Sequence, residues 1–235
     1  MADCARQVSC EDPVLTMCAL DALDALDVAH AGFRDALVCA RSEHLDLPTP
    51  CPAWSVRDLL NHVIGGELRY AMLLAGAITT DVEQTRAADH LGSNPLAACD
   101  DVWSRLRQAF RATGALDRTV HHRGGERTGR DLLLMRCVEE AVHGWDLACA
   151  IGVRPTTNAE LAASLEASLG ANRHLWARPG GALGGPGNPA AGSSPLVSTV
   201  TRISPSAVMR FPRWWPRFLP MDGRRISPLL NWAWA

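Results

Sequence analysis

Apolar residues recur at spacings of three and four from Val14 to Trp176, and that period commits this part of the chain to helices. Between about Val14 and Arg41, Leu20, Leu23, Leu26, Ala29, Phe33 and Leu37 fall on one side of a 3.6-residue turn. Asp12 is placed to cap this helix, and Pro13 suits its first turn. Ser55 starts a second helix, with Asp58 three residues on as a variant capping box and Trp54 just before. Its stripe is Val56, Leu59, Leu60, Val63, Ile64, Leu68 and Met72, and it ends near Gly76. A third helix is predicted from Pro95 to about Thr113, closed by Gly114. A fourth runs from about Thr128 to Ile151, through Leu132, Met135, Val138, Val142 and Leu147, with Gly152 as its stop. Thr157 is read as the cap of a fifth, reaching about Trp176.

The connections carry their own signals. Pro48, Pro50 and Pro52 exclude helix from Leu45 to Pro52. Thr79 to Asn94 is polar and reads as a linker. Arg118 to Thr128 reads as a loop with an extended piece at Thr119 to His122. Gly65 and Gly66 weaken the second helix unless close packing needs them. Beyond Trp176 no helical or strand period remains. Pro179 to Pro195 is dense in Gly and Pro, and the rest is rich in Arg and Trp, so residues 177–235 are expected to be an irregular tail, disordered or out of frame. The expected organisation is an all-α bundle in residues 1–176 followed by that tail.

Composition narrows the function classes. A formal net charge of -2 argues against general nucleic-acid binding, which needs a basic field. All 23 basic residues are Arg, which reflects a GC-rich coding sequence rather than any chemistry. No run of about twenty apolar residues suggests a membrane span. The N-terminus lacks the basic start and apolar run of an export signal. Eight Cys are scattered without a Cys-x-x-Cys pair, so they read as reduced thiols in a cytoplasmic protein, several of them buried.

The chemistry concentrates in the fourth helix. Glu139 and His143 are four residues apart, so they share a face one turn apart and can grip a single ion from a rigid backbone. Carboxylate oxygen and imidazole nitrogen suit zinc first, then iron, nickel or manganese. Glu140 is the alternative carboxylate. A third ligand is available on the second helix, where His62 lies between Leu59 and Val63 and should face the interior. Asp58 is a candidate to hold the other ring nitrogen of His62, and Asp146 to do the same for His143. A Glu-x-x-x-His pair alone is commonly just a helix face, and a helical histidine among apolar residues is commonly a hydrogen-bonded core residue. The case for a metal rests on their joint occurrence.

Two stretches resemble one known family. Leu47 to His62, with P-T-P-C-x-x-W-x-V-R-D-L-x-x-H, resembles the first motif of the mycothiol-dependent maleylpyruvate isomerase N-terminal domain. Glu139 to Ala148, with E-x-x-x-H-G-W-D-L-A, is similar to its second metal motif. The resemblance spans about Val14 to Trp176 and implies a DinB-like four-helix bundle with an extra helix. It implies a divalent metal, usually zinc, held by His62, Glu139 and His143, with the thiol mycothiol as cosubstrate. In the isomerase the thiol adds to a cis double bond, the bond rotates, and elimination gives the trans isomer. The implied partners are thus a small-molecule thiol and an electrophilic substrate, with no nucleic acid and no membrane. Bundles of this kind can also pair as homodimers through an exposed apolar face.

The remaining polar residues read blandly. Cys51 is taken as a buried packing cysteine, and Cys149 faces away from His143. His121 and His122 read as a solvated loop pair, and Arg57 and Arg69 as surface charges. The function expected is a metal-dependent thiol isomerase or transferase. The alternatives are a bundle whose metal is only structural, and a regulatory protein with no metal.

Overall fold

The computed structural model describes residues 21–51 and 54–171. Its elements are α1 (Ala22–Cys39), α2 (Val56–Leu74), α3 (Thr79–Gln84), α4 (Pro95–Arg111), β1 (Thr119–His122), β2 (Gly125–Thr128), α5 (Gly129–Ala150) and α6 (Ala159–Ala171). The fold is all-α apart from one hairpin. Among the described residues, no helix is long and apolar enough to cross a membrane. The described cysteines are all free thiols.

Local sequence fixes the helix ends. The Ser55 side chain accepts from the Asp58 N–H, and the Asp58 carboxylate accepts from the Ser55 N–H. Thr128 and Asp131 make the same reciprocal pair at the start of α5. Asn94 caps α4, with Pro95 in the first turn. Each such cap is worth about 1 kcal/mol. Two expected boundaries differ. The helix described in the first stretch begins at Ala22 under an Asp21 cap, while Asp12 and Pro13 lie outside the described residues. Asn158, rather than Thr157, accepts the Leu161 N–H at the start of α6. The 177–235 tail also lies outside the described residues.

Two connections hold more structure than expected. The polar linker contains α3, whose apolar residue Val82 is buried on the bundle. The Thr119–His122 segment is paired, antiparallel, with Gly125–Thr128, from Thr119 opposite Thr128 to His122 opposite Gly125. Gly125 takes a φ of 105°, a backbone state that L side chains resist, and so allows the tight turn. The Arg118 guanidinium donates to the Leu74 carbonyl, and Thr79 Oγ1 donates to the His121 carbonyl at 3.0 Å. These bonds lay the hairpin and α3 over the C-terminal half of α2.

Packing closes a four-sided bundle in which α1 meets α5, α5 meets α2, α2 meets α4 and α4 meets α1. The consecutive helices α1 and α2 therefore occupy opposite corners, and so do α4 and α5. Two apolar clusters fill the interior, one around Leu26, Tyr70, Phe110 and Leu132 and one around Phe33, Leu59, Ile64 and Leu147. On the surface Arg34 pairs with Asp100 and Arg107 with Asp27, joining α1 to α4. These half-exposed pairs are screened by solvent and contribute little to stability.

Helices α1 and α5 touch most intimately at Gly144. A Cβ there would meet the Phe33 Cα at 2.9 Å, a backbone atom that cannot move aside alone. Gly32, on the facing helix, would meet only the Thr156 carbonyl at 3.6 Å. Gly144→Ala is therefore expected to lose about 1–3 kcal/mol through overpacking. Gly32→Ala should be neutral or gain up to about 1 kcal/mol from helix propensity. Urea unfolding of the two variants checks the contrast.

Candidate metal centre

Helix α2 brings in His62, and the fully dried face of α5 brings in Glu139 and His143. His62 Nε2 lies 2.9 Å from Glu139 Oε2, and His143 Nε2 lies 3.5 Å from the same oxygen. One donor atom from each of the three side chains falls within 4.8 Å of the others. Donors held at roughly 2.0–2.2 Å from a tetrahedral ion sit about 3.3–3.6 Å apart, so the observed cluster is of the right size. The two imidazole rings meet edge-on with centroids 5.2 Å apart, and Trp54 covers His62 at 4.6 Å. The Glu139 and His143 side chains are only 2% and 1% exposed, whereas His62 keeps 10%. The cluster opens toward solvent on the α2 side.

Electrostatics polarises the three groups against one another. Burial opposes charge on Glu139, but hydrogen bonds from His143 and His62 outweigh it and hold the carboxyl well below the usual range. Burial keeps His62 neutral, down at about 4. His143 is held well above the usual histidine value, its burial outweighed by contacts with Asp146, Cys51 and Glu139. The set thus contains one carboxylate, a neutral imidazole at His62 and a protonated one at His143, whose proton a bound ion would displace.

The neighbours expected to steady these donors divide. Asp146 Oδ2 lies 3.2 Å from His143 Nδ1, where it fixes the ring with Nε2 toward Glu139. Asp58 does not reach His62. Its carboxylate is spent on the Ser55 N–H and hydroxyl, because the helix start needs it there. Cys51 is buried, yet it is more than packing: its thiol donates to Asp146 Oδ2 at 3.3 Å, and Cys51, His143 and Asp146 form a second donor group sharing His143. Burial pushes the Cys51 thiol up. Thr49 folds the preceding loop, with its hydroxyl donating to the Cys51 and Trp54 carbonyls.

A second buried polar cluster was not read from sequence. His30 Nδ1 lies 3.1 Å from Glu67 Oε1 and 3.5 Å from Glu140 Oε2, with Trp103 stacked on its ring at 3.7 Å. Arg136 Nε lies 3.1 Å from Glu140 Oε1, and its Nη2 lies 3.7 Å from Glu139 Oε2. The guanidinium therefore sits between the two clusters. His30, Glu67 and Cys99 also satisfy the donor spacing for an ion. Here the charges already answer one another: burial opposes charge on His30, but Glu140 and Glu67 hold it at about 9, and burial with Glu140 repulsion lifts Glu67 to about 8. The available signal was Arg136 itself, three and four residues before two glutamates on an apolar helix. Glu140 belongs to this cluster, which removes it as the alternative ligand.

Arg136 is 1% exposed, and a Cβ at Gly66 would fall 2.5 Å from its Nη1, so the mid-helix glycine makes its room. Arg136→Met leaves buried carboxylates without their cation and is expected to cost about 3–5 kcal/mol. Urea unfolding of metal-free protein measures it, and a loss under about 1 kcal/mol would contradict the charge accounting.

These features define a class: a helical bundle with a His, a Glu and a second His converging from two helices. The chain belongs to the Mycothiol maleylpyruvate isomerase N-terminal domain family, whose description matches residues 25–148. Two uncharacterized proteins from two strains of Mycobacterium tuberculosis are each 31% identical over 176 residues, covering 75% of this chain and 89% of theirs. The crystal structure of a histidine-to-alanine mutant of the mycothiol-dependent maleylpyruvate isomerase shares the fold, with a TM-score of 0.54 and 17% identity. The match covers 66% of this chain and 70% of that one.

Proposed function

We propose that this protein is a cytoplasmic, divalent-metal-dependent enzyme of the thiol isomerase or transferase type, with zinc favoured and the ion held by His62, Glu139 and His143. The observation that carries the reading is the convergence of these donors on one oxygen's neighbourhood, 2.9 and 3.5 Å from Glu139 Oε2. Three protein ligands leave a position for an exogenous group, as catalytic zinc sites do. An ion bound there would lower the pKa of an incoming thiol or polarise a carbonyl.

The chain's own residues supply the rest. Asp146 orients His143, His143 and His62 keep Glu139 ionised, and Arg136 adds positive charge 3.7 Å from it. Trp54 excludes water from one side of His62. The cosubstrate proposed is mycothiol, supported by the family's name and by the mycothiol-dependent enzyme of similar fold. The second substrate would be a small electrophile.

Purified protein is expected to carry one zinc per chain by elemental analysis, and His62→Ala and His143→Ala should each reduce it to a small fraction. Either a wild type that takes up no metal, or unchanged metal content in both variants, would end this reading. After chelation the bundle should keep its helical circular dichroism while thiol turnover stops. Loss of the fold instead would make the ion structural.

A further inference from the structure

Beside the bundle, α2, α3 and the hairpin enclose a narrow, open-mouthed cleft whose cavity volume is about 10 Å³, room for about one water. Three arginines line it, Arg69, Arg86 and Arg123, together with His122, Tyr70 and Glu83. Sequence reading had placed Arg69 on the surface and His122 in a solvated loop. They are 6% and 8% exposed, because α3 and the hairpin cover them.

The single carboxylate is committed elsewhere. Glu83 Oε2 takes Arg86 Nε at 2.6 Å. Burial, then the neighbouring Arg127, Arg86 and Arg123, push His122 down to about 4, so it stays neutral, with Nδ1 accepting the Gly124 N–H. Arg69 has no hydrogen bond or ion pair with the described residues, and burial followed by Arg86 repulsion lowers it to about 10. A buried guanidinium without a partner among the described residues is destabilising until an anion answers it. The helix nevertheless makes space for it. A Cβ at Gly65 would fall 2.5 Å from the His90 ring and 2.8 Å from Arg69 Nη1, so the glycine makes room for both side chains at some loss of helix propensity.

Arg69 and Arg136 share a design, each seated against a mid-helix glycine, but of the two only Arg136 finds carboxylates among the described residues. We infer that the cavity lined by Arg69, Arg86 and Arg123 is an oxyanion-binding site, taking the carboxylate or phosphate group of a small molecule that completes the charge pairing of Arg69. Guanidinium groups match both oxyanions through paired N–H donors. The cavity wall leads to the candidate metal centre: Tyr70 lines it, the Arg136 guanidinium lies 5.8 Å from the Tyr70 ring centroid, and Arg136 reaches Glu139. The site stands on its own geometry whether or not His62, Glu139 and His143 hold an ion.

Isothermal titration of full-length protein with succinate and with inorganic phosphate tests it, with metal content measured on the same samples. At least one of the two should bind at one site per chain, more weakly as salt rises, and the one that binds tighter names the group. Arg69→Met and Arg86→Gln should each weaken binding by about tenfold or more, with metal content unchanged. Arg69→Met should also keep or raise the urea midpoint, since it removes an unpaired buried charge, the reverse of Arg136→Met. Three results overturn the site: no binding of either anion with a Kd below about 10 mM, equal binding by both variants, or a midpoint that falls as it does for Arg136→Met.

Discussion

Drying a carboxylate is the most expensive thing a helix of this fold does, and α5 does it twice in succession, at Glu139 and Glu140. An isolated charge in such surroundings would cost many kcal/mol, so each must find opposite charge or a proton within a few ångströms. Arg136, one turn earlier on the same helix, serves both. His62 and His143 finish the arrangement around Glu139, and His30 with Glu67 finishes it around Glu140. Most of the rest answers to that requirement. Gly66 clears room for the guanidinium, Trp103 seals the far cluster, and Trp54 borders the near one.

The two clusters differ in how completely the protein answers its own charges. Around His30 a carboxyl raised to about 8 and an imidazole raised to about 9 share protons, and Arg136 neutralises the remainder. Around Glu139 the donors face one another and a partly open side. The first arrangement suits internal cohesion, the second an exchangeable guest. Family membership is consistent with that division, and the related crystal structure adds likeness of fold.

Much of this was legible in residue order. Stripes at Leu26, Phe33, Leu59 and Leu132 marked the helices, and Ser55 with Asp58 marked a start to the residue. Glu139 and His143 were paired by their four-residue spacing, His62 was turned inward by its apolar stripe, and the resemblance of both stretches to one family's motifs joined the three. What escaped was of two kinds. Asp58 was offered to His62, but a carboxylate three residues after a serine at a helix start is claimed by orphan N–H groups first. Arg69 and His122 looked solvated because arginine and histidine usually are. Their burial depends on α3 and the hairpin folding back over α2, a long-range event that no local period announces. The hairpin itself is four residues a side, too short for alternation to stand out from a loop.

The diagonal placement of consecutive helices has a consequence for assembly. His62 and Glu139 are 77 residues apart, and their helices become neighbours only when the chain has crossed the bundle end twice. Contacts of such separation close late, after the nearer ones have restricted the chain. A nascent or partly unravelled molecule therefore presents its imidazoles and carboxylate singly, with no cage to capture stray cations. The three donors come together only when the four corners of the bundle have met.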